Sequence, residues 1–167
     1  MPAGNTYEAI ATNTVSGSSV SSVTFSSISS AYTDLVLVVN VISTGTAQPD
    51  IYMRVNGDTG NTYSRTRVGG NGSSTFSTNI TGETFWVLGP IESTASTNMI
   101  CNIMNYSNTS TFKTMLVRSN DPAIAVQAMV SLWRDTSAIN SILLYPEPAK
   151  GNFAIGSTFN LYGIKAA

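Results

Sequence analysis

The chain has 167 residues, of which only 10% are charged, and its formal net charge at pH 7 is −1. Soluble domains usually carry about 25% charged residues, so the polar surface here is built mainly from Ser, Thr and Asn. The eight basic residues are scattered along the chain, which argues against a nucleic-acid-binding patch. A weakly charged surface repels copies of itself little, and it favours a homo-oligomer or a repetitive assembly.

The first half of the chain reads as β-strands joined by polar turns, because apolar and β-branched residues recur at a period of two. Strands are predicted over residues 7–12, 20–28, 34–41, 51–55 and 61–68. The continuous apolar run at 34–41 indicates a strand buried on both faces. A loop is predicted at 43–49, a hairpin turn at Asn56-Gly57 and an exposed loop at 69–74.

The second half repeats this pattern. Strands are predicted over residues 85–88, 98–106, 112–118, 123–133, 138–145, 153–155 and 159–164. The alanines of 123–133 also suit a short helix, but the β-branched content and the Asp121-Pro122 start favour a strand. We expect about nine to eleven of these segments to form strands, and we predict an all-β single domain over 1–167, a two-sheet antiparallel β-sandwich of jelly-roll type.

The residue types offer little for catalysis. Histidine is absent, which removes the commonest general base and metal ligand, and Cys101 is the only cysteine. The nine acidic residues mostly border predicted turns, where carboxylates usually hydrogen-bond their own backbone. Residues 56–61 offer oxygen ligands but lack the spacing of a calcium loop, so a turn is preferred there. We expect no enzyme activity, no metal and no cofactor.

Aromatic residues are the remaining candidates for ligand contacts, because sugars stack on exposed rings. Trp86 and Trp133 lie inside apolar strands and are predicted to pack in the core. Tyr52, Tyr63 and Tyr106 border turns and are the candidates for glycan or partner contacts. The first residues show no secretory signal, and no apolar run approaches the roughly 20 residues that span a bilayer. We therefore expect a chain made in a cytoplasm, with no membrane partner.

Three sequence blocks carry a resemblance to a known family. Residues 55–64 read VNGDTGNTYS, residues 133–139 read WRDTSAI, and the closing block begins at Gly156 and reads GSTFNLYGIK to Lys165. The succession resembles a family of tailed-bacteriophage structural proteins, frequent in marine and cyanobacterial phages. Its members occur as short virion proteins and as terminal domains of tail or fibre chains. The resemblance implies a virion component, assembled in the host bacterial cytoplasm, and assigns no catalytic residue.

Three roles stay open within that resemblance. A chain of this length without fibrous repeats or coiled-coil heptads favours a capsid decoration protein that binds the major capsid protein, with a trimer as the expected symmetry. The alternatives are a tail or tail-fibre component and a host-glycan-binding protein. The contact surfaces are expected in the loops at 43–49, 69–75 and 146–152. Residues 159–164 are predicted to complete a sheet, with Gly163 allowing a bulge or a close approach.

Overall fold

The computed structural model describes residues 6–165, which form twelve β-strands and contain no helix long and apolar enough to cross a membrane. The strands are β1 (Tyr7–Thr14), β2 (Val23–Phe25), β3 (Asp34–Val41), β4 (Asp50–Val55), β5 (Tyr63–Gly70), β6 (Thr75–Glu83), β7 (Trp86–Pro90), β8 (Thr97–Met104), β9 (Lys113–Asp121), β10 (Ala125–Trp133), β11 (Ile142–Pro146) and β12 (Thr158–Ile164). The predicted all-β, two-sheet antiparallel sandwich is confirmed, although the described residues form twelve strands and not the nine to eleven that were predicted.

Four nested strand pairs define the sandwich. Strand β1 pairs with β12, β2 with β11, β3 with β8 and β4 with β7, all antiparallel. Pairing the first strand with the last, and continuing inward, produces two layers, β1-β12-β3-β8 and β2-β11-β4-β7. This is the arrangement of a jelly roll, in which a long antiparallel ribbon folds over on itself.

Two inserted hairpins widen one layer of the roll. The hairpin β5–β6 lies in the chain between β4 and β7, and the hairpin β9–β10 lies between β8 and β11. Strand β9 pairs with β8, and β10 pairs with β5, so the larger sheet has eight strands in the order β1-β12-β3-β8-β9-β10-β5-β6. We call the four added strands, β9-β10-β5-β6, the extension.

The core lies between the two sheets and follows the period-two pattern of the strands. Leu35, Leu37 and Val39 of β3 are fully buried, as are the large side chains Trp86 and Trp133. The Tyr63 ring lies edge-on to Trp86, at 5.7 Å between centroids, and stacks on Trp133 at 6.5 Å. The predicted core positions of both tryptophans are thus confirmed. Each buried large side chain contributes roughly 1.5–3 kcal/mol to stability.

Several strand predictions need correction. Only Val23–Phe25 of the predicted strand 20–28 is a strand, and Phe153 makes only isolated bridges, to Val20 and Ser43. Strand β6 was not predicted, because its Ser, Thr and Asn residues show no apolar alternation. Residues 69 and 70 belong to β5, and the exposed turn comprises 71–74.

The hairpin predicted at Asn56-Gly57 is wrong, although the turn itself is right. Both residues have positive φ, 53° and 69°, and Asp58 N–H donates to Val55 O at 3.0 Å. The strands on either side, β4 and β5, belong to different sheets. The reason is the five-residue segment 58–62, which carries the chain from one layer to the other after the turn.

The closing block forms β12, which pairs with both β1 and β3. Of the two alternatives predicted at Gly163, a bulge or a close approach, the close approach is confirmed, because a Cβ atom there would lie 2.3 Å from ring carbons of Tyr32. Ala166, at the end of the block, lies outside the described residues.

Candidate functional site

Strand β10 turns apolar side chains away from the core. Its buried positions carry Gln127, Met129, Ser131 and Trp133, whereas its outward positions carry Val126, Ala128, Val130 and Leu132. Val126 is 65% exposed and Val130 is 45% exposed. A sheet with one face in water normally turns polar residues outward. The four outward residues of β10 are apolar instead, which is the reverse of this pattern. Such a strand is suited to being covered on its outer side.

The neighbouring strands continue the apolar surface. Val130 lies opposite Leu116 of β9, and Ala128 lies opposite Val68 of β5. Leu116 is 43% exposed and Val68 is 52% exposed. Directly opposed side chains on one sheet face touch each other, so these five residues, Val68, Leu116, Val126, Ala128 and Val130, form one continuous surface. We call it the outer patch.

The outer patch is shallow and nearly uncharged. A depression of about 440 Å³ is lined by Val68, Leu116 and Val130 together with the amide of Asn102. A second depression, of about 280 Å³, lies beside it and is lined by residues that include Ile100, Asn120 and Val126. The one charged side chain that β8, β9, β10 and β5 turn outward is Arg118, which borders both depressions.

The dimensions of this face suit a protein partner better than a small ligand. Strands lie about 4.8 Å apart and rise about 3.4 Å per residue, so an eight-stranded sheet presents a plane of about 35 by 25 Å. That area is close to the roughly 800 Å² that each partner contributes to a standard protein–protein interface. Exposed apolar patches rimmed by polar residues commonly mark such interfaces. The contacts available here are mainly apolar and amide contacts, with one charge from Arg118.

A second cluster of interest is ionic and lies on the inner side of the extension. Arg65 donates from Nη1 to both carboxylate oxygens of Glu83, at 2.5 and 2.6 Å. Burial raises the pKa of Glu83, and it also raises that of Asp50, while the charges of Arg65 and Arg67 act in the opposite direction. Opposite charges balance within the cluster, so it serves as an internal ion pair that ties β5 to β6. Among the described residues, no group of three or more acids or cysteines is placed to hold a metal.

The turn at residues 56–61 uses its carboxylate for structure. Asp58 Oδ1 accepts from Gly60 N–H at 2.7 Å, and Oδ2 accepts from Thr62 Oγ1 at 2.6 Å and from Trp133 Nε1 at 2.7 Å. Burial raises the pKa of Asp58, but these hydrogen bonds outweigh it and hold the pKa below its ordinary value. Hydrogen-bond donors surround the carboxylate, so the arrangement supports a structural turn at residues 56–61 and not the calcium-binding loop that was considered from the sequence.

The three tyrosines singled out from the sequence do not form a common site. Tyr63 and Tyr106 have no exposed surface, and their hydroxyls donate to the backbone oxygens of Asp58 and Ser29. Neither ring is therefore a surface contact, because each is part of the core. Tyr52 is partly exposed and stacks on Phe85, at 3.9 Å between ring centroids. It alone remains a candidate for contact with a ligand.

The three loops that were predicted as contact surfaces do not form one common surface. Loops 43–49 and 146–152 lie against each other, with Thr44 N–H donating to Asn152 O at 2.9 Å and Asn152 N–H to Thr44 Oγ1 at 2.9 Å. The turn at 71–74 belongs to the extension instead. No known protein family, curated protein or solved structure matches the chain.

Proposed function

We propose that this chain is a non-enzymatic structural protein of a bacteriophage virion, and that it decorates the capsid by binding capsid protein through the outer patch. The observation that carries the proposal is the reversed polarity of β10, which leaves Val126 and Val130 exposed on a nearly uncharged sheet face. The family resemblance of the closing block supplies the virion context.

The physical chemistry of the patch suits a decoration protein. Covering an exposed aliphatic side chain contributes about 25 cal/mol per Å² of apolar surface, and association costs several kcal/mol of lost freedom. A single copy therefore binds modestly. On a capsid, many copies on a repeating lattice act together, and bridging contacts between neighbours make modest binding persistent. A rigid sheet also loses little conformational entropy when it docks.

The test uses capsid shells of the phage that encodes the chain, assembled without this protein. Purified chain is added, and co-sedimentation measures its binding. Val126→Lys and Val130→Lys place charges in the patch and should weaken binding by at least about tenfold. The matched control is Thr24→Lys, at the exposed position of β2 in the other sheet. Equal binding by the patch variants and the wild type would refute the role of the patch.

Copy number separates the capsid from the tail. Quantitative gel analysis of purified particles should find the chain at a stoichiometry comparable with that of the major capsid protein. A few copies per particle would contradict capsid decoration and support a tail component.

A host-glycan role at the tail has one observation in its favour. Tyr52, Phe85 and Tyr145 form an aromatic group on the outside of the smaller sheet, with Arg54 lying 5.3 Å from the Tyr145 ring centroid. A glycan array tests this role directly. Saccharide binding that is lost in Tyr52→Ala would support it, and absence of binding by the wild type would remove it.

A further inference from the structure

Strand β6 forms one edge of the eight-stranded sheet and lacks the features that protect such edges. It runs for nine residues, Thr75–Glu83, and pairs only with β5. Natural edges are usually blunted by Lys, Pro or a bulge. Strand β6 contains neither residue type, and its bulge and its one charge, Glu83, lie at its end. The opposite edge, β1, has its irregularity in mid-strand, between Ala9 and Ala11.

The direction of the backbone groups of β6 follows from the β5–β6 turn. Asn71 N–H donates to Ser74 O at 3.1 Å, and the register is regular from Gly70–Thr75 to Ser64–Thr81. Hydrogen-bonded and non-hydrogen-bonded pairs alternate along an antiparallel ladder. The even-numbered residues from 76 to 80 therefore bond to β5. The odd-numbered residues from 75 to 81 point their N–H and C=O groups to the open edge.

The side chains of β6 are self-complementary about Thr78. An antiparallel copy centred there brings Phe76 opposite Ile80, Ser77 opposite Asn79 and Thr75 opposite Thr81. The edge-pointing residues then face each other in hydrogen-bonded pairs, as the ladder requires. Phe76 and Ile80 fall in the closer, non-hydrogen-bonded pairs, where an aromatic and a β-branched side chain pack well. Ile80, which is 37% exposed in the single chain, is covered in this arrangement.

One further observation fits the same centre. Asn79 uses its Nδ2 to donate to Thr66 Oγ1 at 2.7 Å. Its Oδ1 thus stays available to accept from the partner's Ser77.

We infer that β6 pairs with β6 of a second copy of this chain, antiparallel and two-fold symmetric about Thr78, so that two large sheets become one continuous sheet. The two-fold axis stands perpendicular to the sheet, so both outer patches face the same side. This symmetry is that of a dimer, whereas the low charge and the symmetry of capsids led us to expect a trimer. The inference does not depend on the proposed virion role, because it concerns the isolated chain.

Cysteine scanning tests the register. Thr78→Cys places two thiols opposite each other in a pair with about 4.5 Å between Cα atoms, within the range that a disulfide spans. It should form a covalent dimer under mild oxidation on a non-reducing gel. Thr66→Cys, at an exposed position of β5, is the matched control, and the native Cys101 is buried. Cross-linking at position 78 no faster than at position 66 would overturn the inference.

Thr78→Glu tests the same pairing by repulsion. In the single chain the new carboxylate lies opposite Arg67, so the fold is kept, whereas in the dimer two carboxylates face each other. Sedimentation equilibrium should show a wild-type dimer, and a dissociation constant raised at least about tenfold in Thr78→Glu. The control Thr24→Glu should leave it unchanged. A monomeric wild type, or a Thr78→Glu dimer as tight as the wild type, would overturn the inference.

Discussion

The carboxylate of Asp58 links the turn after β4 to the core, and its removal should have a large effect on stability. Asp58→Ala deletes the acceptor of three hydrogen bonds and leaves Trp133 Nε1–H without it, on a side chain that is only 1% exposed. Loss of a charge-assisted bond to a buried donor costs roughly 1.5–3 kcal/mol, and each turn bond adds about 0.5–1.5 kcal/mol. We expect the free energy of unfolding to fall by about 2.5–6 kcal/mol.

Asp58→Asn refines this prediction, because an amide keeps an oxygen acceptor but loses the charge. Its cost should be about half that of Asp58→Ala. The pH dependence follows from the pKa of Asp58, which is lower in the folded chain than its ordinary value. The carboxylate therefore stabilises the fold above its unfolded pKa, and this stabilisation is lost as the pH falls through the folded pKa. The wild type should lose more stability between neutral and strongly acidic pH than Asp58→Ala does.

Urea unfolding followed by tryptophan fluorescence measures both effects. The wild type and the two variants are compared at neutral pH and at about pH 3. The second pH lies slightly below the ordinary pKa of Asp. The difference between wild type and Asp58→Ala isolates the contribution of this carboxylate from those of the other acids. A cost below about 1 kcal/mol for Asp58→Ala, or an unchanged difference at acidic pH, would refute the role of Asp58.

Three further predictions concern packing. Gly163→Ala should lower the free energy of unfolding by about 1–3 kcal/mol, because its Cβ would meet the Tyr32 ring at 2.3 Å, and a neutral result in thermal unfolding would contradict this contact. Cys101 should react with a thiol reagent only upon unfolding, because burial raises the pKa of its thiol far above the ordinary value; rapid labelling of the native chain would count against burial. Val126→Ser should change stability by less than about 0.5 kcal/mol and Met129→Ser by about 2–4 kcal/mol, and equal costs in urea would reverse the assigned faces of β10.

The fold was predictable where a buried strand requires a clear pattern of apolar residues in the sequence. The solid apolar run of β3 and the alternation of β12 each mark a strand between two neighbours. Strand β6 was not predictable in this way, because its side chains are mostly polar and its strand conformation depends on pairing with β5. The turn at Asn56-Gly57 was predictable from local conformational preference. The pairing of the two flanking strands was not, since a local signal carries no information about which sheet the chain joins next.

The candidate site was harder to predict than the fold. In β10 both phases of the period-two pattern contain apolar residues, so the sequence does not reveal which phase faces inward. The large ring of Trp133 and the side chain of Met129 decide it by packing into the core. Tyr63 and Tyr106 border turns in the sequence, but their hydroxyls find backbone acceptors inside the sandwich, which allows burial of the whole side chain.

Image reconstruction of the virion tests the central claim most directly, because it shows where the chain lies and which face it turns to its partner. The proposed function predicts density for the sandwich on the capsid surface, with the outer patch and the strands β9 and β10 against capsid protein. A sandwich whose outer patch faces solvent, or whose density lies on the tail, would contradict the proposal.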